Sequence, residues 1–273
     1  MHKNITVIKS QKTFGVENIK EIWRYKELLY FLAWRDFKVK YKQTVFGILW
    51  TLLQPLTTMI VFSVVFGTFI KIPSSTVPYP IFVFTGLLFW DFFSSSLSKI
   101  SSSIIDNQSL ITKIYFPRLI LPLAAPMTKF IDFFIASLIL IGMMIYFRYT
   151  PHLLGYLILP LLLGIAFFSA LGIGLLFASL NVKYRDVKYI LPFFIQTIFF
   201  ITPVIYPPTI LGRHSWILNL NPMTGIINTA RSILLGSSVH WVTLFLAGGI
   251  SVLLLLVGLA YFYRTKRSFA DNI

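Results

Sequence analysis

Six long apolar runs, at residues 46–70, 81–103, 119–147, 153–180, 190–206 and 241–263, limit what this 273-residue chain can fold into. A hydrocarbon layer about 30 Å thick needs roughly 20 apolar residues per helical crossing. A helix satisfies its own backbone there, which an open strand or loop cannot do. At 56% hydrophobic and 12% charged, the chain holds more apolar surface than one soluble core can bury. The sequence therefore predicts an all-α polytopic membrane protein with six transmembrane helices. It divides into a cytoplasmic N-terminus (1–45), a transmembrane domain (46–263) and a cytoplasmic tail (264–273).

The net charge of +15 would suggest a nucleic-acid partner in a soluble protein, but here it follows topology, and no nucleic acid is expected. Ten Lys and Arg precede the first run, and three each fall around the second-to-third connection, in the fourth-to-fifth connection and in the tail. The opposite side holds Lys71, Arg148, Arg213 and Arg231, so the positive-inside rule predicts both termini in the cytoplasm. The tightest cluster, RDFKVKYK at 35–42, sets Arg35, Lys38, Lys40 and Lys42 just ahead of the first run. Such a cluster suits lipid headgroups, or equally the diphosphate of a lipid-linked substrate. Between residues 17 and 41 the large apolar side chains recur every three or four positions among charges, which predicts an amphipathic interfacial helix. The first 45 residues lack a short apolar run ending in a cleavage site, so the N-terminus reads as retained.

The connections carry their own signals. KIPSSTVPYP, at 71–80, has three prolines and reads as a tight external loop. The second run ends in SSSLSKISSS, whose seven serines suit either a wet cavity or hydrogen bonds back to their own helix. Ala166, Ala170, Gly174 and Ala178 form a small-residue seam for close helix packing, within this chain or on a second copy. Residues 207–236 are broken by Pro207, Pro208, Gly212, Asn221, Pro222, Gly225 and Gly236 into pieces too short to span. They predict two short re-entrant helices at the external mouth, the first residues of the second being Asn221 and Pro222.

Three ionisable residues interrupt apolar runs. Asp91, Lys129 and Asp132 are expected at midplane depth, facing the bundle, with Lys129 and Asp132 one turn apart and able to pair. A structural ion cluster, the lining of a pathway and a proton relay all remain open for them. The four histidines are scattered, no acidic pair has catalytic spacing, and no serine sits in a nucleophile elbow, so no catalytic or metal-binding residues are expected. With no cysteine, thiolate metal sites and disulfides are excluded. No glycine precedes a lysine, so the chain has no P-loop; ATP and Mg would belong to another subunit.

Several segments, in order, carry a resemblance: RDFKVKYKQT running into Gly47, Trp50 and Gln54-Pro55, then NQSLITKIYFPRLILPL, LNVKYRDVKYILPF, TPVIYP and LNPMTGII. Together, over about residues 17–267, they resemble the ABC-2 type permeases that export cell-surface polysaccharides, most closely the O-antigen Wzm group and its teichoic-acid relatives. The resemblance implies a homodimer working with two copies of an ABC ATPase to move undecaprenyl-linked polysaccharide across the bacterial inner membrane. It also implies that segment 106–118 couples to the ATPase, offering Asp106, Asn107, Lys113, Tyr115, Phe116 and Arg118, and that 207–236 forms an external gate. Capsule or teichoic-acid export is the alternative within the class, and a proton-coupled flippase the alternative outside it.

A sugar polymer needs flat apolar faces for its rings and polar edges for its hydroxyls. From the chain's many aromatics, Trp50, Phe62, Phe89, Trp90, Tyr115 and Phe199 are the expected channel-facing set.

Overall fold

In the computed structural model, residues 16–42, 47–70, 77–149, 153–184, 186–234, 236 and 238–266 are described. The chain begins with α1 (Val16–Arg24) and α2 (Lys26–Lys42), broken at Tyr25. On α2 the rings of Tyr30, Trp34, Phe37 and Tyr41 form a ladder, with centroids 6.3, 5.3 and 4.8 Å apart in turn. Their spacing of four, three and four residues keeps one helix face aromatic. Trp23 and Tyr30 are exposed while Leu32 is buried.

The first apolar run forms α3 (Gly47–Phe62), which widens into a π-helical stretch over Ser63–Phe69. The second forms α4 (Tyr79–Asp106), the most enclosed helix of the bundle, with Phe84, Phe89, Phe93, Leu97 and Ile100 fully buried. A short α5 (Gln108–Lys113) follows. The third run does not begin as one continuous helix: α6 (Ile120–Ala124) lies against α2, and only after a turn does α7 (Met127–Tyr146) start. Pro122 and Pro126 explain the interruption, since proline cannot donate within a helix. Lys129 and Asp132 fall in the first two turns of α7, within the Ile120–Tyr146 stretch.

The fourth run is α8 (Leu153–Lys183), against which α4 and α12 (Trp241–Thr265) pack most extensively. The small-residue seam packs within this chain. Ala166, Ala170 and Ala178 are buried, and a Cβ on Gly174 would come within 2.5 Å of Ile100 on α4. On another face of α8, a Cβ on Gly172 would come within 2.5 Å of the Leu254 carbonyl carbon on α12. Backbone-to-backbone approach of this kind is available only to glycine.

Among the described residues, five helical stretches are long and apolar enough to cross a membrane: Thr51–Phe69, Tyr79–Asp106, Ile120–Tyr146, Ile158–Lys183 and Trp241–Thr265. The fifth sequence run departs from expectation. Its helix α9 (Val187–Ile201) has 15 residues, about 22 Å at 1.5 Å per residue, and ends where Thr202 turns extended. After a 3-10 turn (Pro208–His214) and α10 (Ser215–Leu218), the chain re-enters as α11 (Pro222–Leu234), most of it buried against α4, α8 and α12. Of the two short helices expected before the last span, α11 is the substantial one. All elements are helical among the described residues, and the chain is an integral membrane protein.

Candidate functional site

A cavity of about 980 Å³ opens between α3, α4, α7 and α9. Its aromatic wall contains Phe62, Trp90 and Phe199, where Trp90 and Phe62 lie 5.4 and 6.0 Å from the Phe199 ring. Its polar lining includes Gln54, Thr58, Asp91, Ser94, Ser95, Ser98 and Gln196. Each arises from a predominantly apolar helix, and together they border one space. The serine run resolves into two uses. Ser95 and Ser103 donate to carbonyls one turn back at 2.5 and 2.7 Å, yet Ser94, Ser95 and Ser98 also border the cavity.

Not every expected channel residue reaches this space. Phe89 is fully buried and sits 5.2 Å from the Phe133 ring, on the face of α4 turned into the protein core. Tyr115 is 70% exposed in the segment after α5, outside the cavity lining. The side chain of Trp50 lies outside the described residues.

An ion cluster lies at one end of the cavity. Lys40 Nζ lies 2.5 Å from both Asp132 oxygens, Lys129 Nζ lies 3.2 Å from one of them, and the Tyr41 hydroxyl donates to the other. Lys40 was expected at lipid headgroups with Arg35, Lys38 and Lys42; instead it turns inward, because α2 packs beside α7. Burial pushes the Lys40 ammonium below its usual range, against the Asp132 hydrogen bond that raises it. Burial and Asp132 both push the Tyr41 phenol up. Asp91 faces the same cavity from the middle of α4, close enough to feel the Lys129 charge. Lys38 and Lys42 remain exposed, the former 5.5 Å over the Trp34 ring. Arg35 donates to Asp36 at 2.8 Å and to Asn107 at 3.0 Å.

That last bond joins α2 to the start of segment 106–118. Asn107 also donates to the Ser103 carbonyl at 2.8 Å, and Asp106 accepts from Ser102 at 2.6 Å. Arg118 donates to the Lys266 carbonyl beyond α12. The segment's two ends are thus fastened, while Asp106, Lys113 and Tyr115 are exposed between them. Phe116 is only 5% exposed and belongs to the core, so it anchors the segment and offers no docking surface.

Sequence reasoning missed Arg231, counted only as an external charge. It is buried on α11, donating to the carbonyls of Phe82, Pro203 and Val204 at 3.1, 2.7 and 2.5 Å, with its guanidinium 3.5 Å from the Phe82 ring centroid. A lone cation in the apolar stretch IINTARSILL was the signal available. It holds the helix-free turn after α9 against α4, satisfying the Pro203 and Val204 carbonyls, which no helix supplies with donors. Asn221 completes the turn, donating to Thr202 Oγ1 at 2.7 Å and accepting from the Met223 amide at 3.0 Å.

The ABC-2 type transporter pattern matches residues 27–235, from the start of α2 through α11. The chain belongs to the ABC-2 type transporter family. Among its relatives, the O-antigen export system permease protein RfbA of Myxococcus xanthus is 30% identical over 263 residues, covering 93% of this chain and 98% of that protein. RfbA of Klebsiella pneumoniae is 28% identical over 247 residues, 90% and 94% of the two chains. The polysialic acid transport protein KpsM of Escherichia coli is 22% identical over 244 residues, 85% and 90% of the two. As an ABC-2 family member the chain is a transport subunit. Among the described residues no group of His, Cys, Asp or Glu is arranged to hold a metal ion.

Proposed function

We propose that this chain is the permease subunit of an ATP-driven exporter carrying lipid-linked O-antigen polysaccharide across the bacterial inner membrane. Two copies, with both termini in the cytoplasm, would pair with two copies of a separate ABC ATPase that supplies ATP and Mg chemistry. The observation that carries this reading is the similarity to O-antigen export permeases over nearly the full length of both chains. The cavity supports it, since an aromatic wall facing amides and hydroxyls matches the two surfaces of a sugar ring.

In this reading, ATP-driven movement of the partner is received by segment 106–118 and by α1 and α2. Both ends of that segment are fastened to other helices, so a push on Lys113 or Tyr115 is transmitted to α2, α4 and the end of α12 instead of being lost in a loose loop. The exposed residues Arg35, Lys38 and Lys42 would steady the lipid diphosphate or headgroups at the cytoplasmic surface. The similarity to KpsM favours a second reading, a capsule permease, on lower identity.

Affinity purification from native membranes followed by mass spectrometry tests the assembly: a near-stoichiometric P-loop ATPase is expected. A solitary chain, reproducible across detergents, would overturn it. Deletion of the coding sequence should remove a lipid-linked glycan from the cell surface while its precursor accumulates inside.

A further inference from the structure

We infer that the cavity contains a binding subsite for uncharged sugar units, centred on Asp91, and that the exported polysaccharide is neutral instead of polyanionic. The inference rests on the permease reading above and adds the substrate's chemical class. Four polar side chains on three helices border the space: Gln54 on α3, Asp91 and Ser98 on α4, and Gln196 on α9. Among the described residues none of the four has a side-chain hydrogen bond or an ion pair within the protein. Gln54, Ser98 and Gln196 are exposed, whereas Asp91 is partly buried, so Asp91 is the group whose missing partner is costly unless a ligand or water engages it. Opposite them Phe62 and Phe199 stack, their planes 21° apart and their centroids 6.0 Å apart. Carboxyl and amide groups facing a flat ring suit a pyranose, whose hydroxyls ring its edge and whose C–H faces are apolar.

Charge decides between neutral and acidic sugars. The lining contains two ammonium groups, Lys40 and Lys129, and two carboxyl groups, Asp91 and Asp132. The two cations share Asp132, at 2.5 and 3.2 Å, which leaves Asp91 as the carboxyl turned toward a ligand. A carboxylate or phosphodiester on every repeat would enter this space without net positive charge to replace its water, and would approach Asp91 as a like charge. A hydroxyl has no such cost and gains an acceptor. The same lining in a second copy would double the effect without changing its sign.

The test has two parts in the native host. The first is composition of the surface glycan lost on deletion, assayed for uronic acid, sialic acid and phosphate. The second is export by Asp91→Asn, Asp91→Leu and Gln196→Lys permeases, each scored against its level in the membrane. The expected result is a glycan without acidic repeats. Asp91→Asn, which keeps hydrogen-bonding capacity, should export within about twofold of wild type. Asp91→Leu should fall about tenfold, the loss expected when a ligand's hydrogen bond disappears. Gln196→Lys should also reduce export, by imposing an unmatched charge. An acidic glycan overturns the inference and leaves the permease reading intact. Unimpaired export by Asp91→Leu overturns the subsite, as does failure of Asp91→Asn at normal membrane level, which would assign a charge-transfer role instead. If deletion removes no surface glycan, the permease reading fails and this inference with it.

Discussion

Lys40 and Asp132 meet at 2.5 Å although 92 positions separate them, so α2 is fastened by an ion pair to the first turns of α7. Tyr41 and Lys129 converge on the same carboxylate, so one acidic side chain holds three groups from two helices together. In an exporter driven from the cytoplasm, this knot lies where movement of α2 reaches the wall of the cavity. Asp132→Ala should leave two ammonium groups without an anion and lower stability by about 1–3 kcal/mol, less than a fully enclosed pair would cost because both sites retain some solvent contact. Thermal unfolding in detergent checks this, and Lys40→Met should recover part of the loss in the Asp132→Ala background.

The Arg231 clamp allows no side chain at Gly86. A Cβ there would lie 2.6 Å from Arg231 Nη2 and 2.9 Å from the Val204 carbonyl oxygen. Gly86→Ala should therefore displace the guanidinium and cost about 1–3 kcal/mol, the range for overpacking a filled interior. Arg231→Leu should cost at least as much by orphaning the carbonyls of Pro203 and Val204. Membrane abundance and thermal stability are the measurements; wild-type values for both variants would refute the clamp.

At the α8–α12 crossing, Gly172 and Gly258 face each other so closely that a Cβ on Gly258 would collide with the Gly172 carbonyl. Substituting either by Ala should push the two helices apart and reduce folded protein by a similar amount in each case. The double variant should be less than additive, because one displacement relieves both clashes. Gly142 and Gly164, with no neighbouring atom within 4 Å of the added carbon, should accept Ala without loss. Fluorescence-detected size exclusion of tagged variants distinguishes the two groups.

Tyr115 and Phe116 are adjacent but should fail differently. Tyr115→Ala removes an exposed ring and should leave unfolding temperature unchanged while lowering coupled ATP hydrolysis several-fold. Phe116→Ala opens a hole in the core and should lower stability by about 3–5 kcal/mol. Equal stability of the two variants would contradict their burial.

The local order of this chain was largely legible in its residues. Apolar run length marked the spans, the four-three-four aromatic spacing marked α2, and Asn221 with Pro222 marked the start of α11. These features survive because backbone hydrogen bonding in lipid leaves a continuous apolar segment little choice but a helix. The short α9 was harder to see, since its apolar run continues past Ile201 while the backbone does not. Thr202 and Pro203 end the helix, and the distant Arg231, Asn221 and Tyr79 make the resulting turn tolerable.

Which side of a helix faces which neighbour was decided by the tertiary structure. Phe89 and Trp90 are consecutive aromatics on one helix, yet one enters the core and the other borders the cavity. Lys40 and Lys42 lie in one basic cluster, yet one pairs with Asp132 and the other stays exposed. Composition and spacing determined that this protein spans a membrane and where its helices lie, because those outcomes depend on burial summed along a segment. Partners such as Arg231 for Val204, or Lys40 for Asp132, depend on how helices rotate and cross when their small-residue faces come together, and that geometry exists only in the packed bundle.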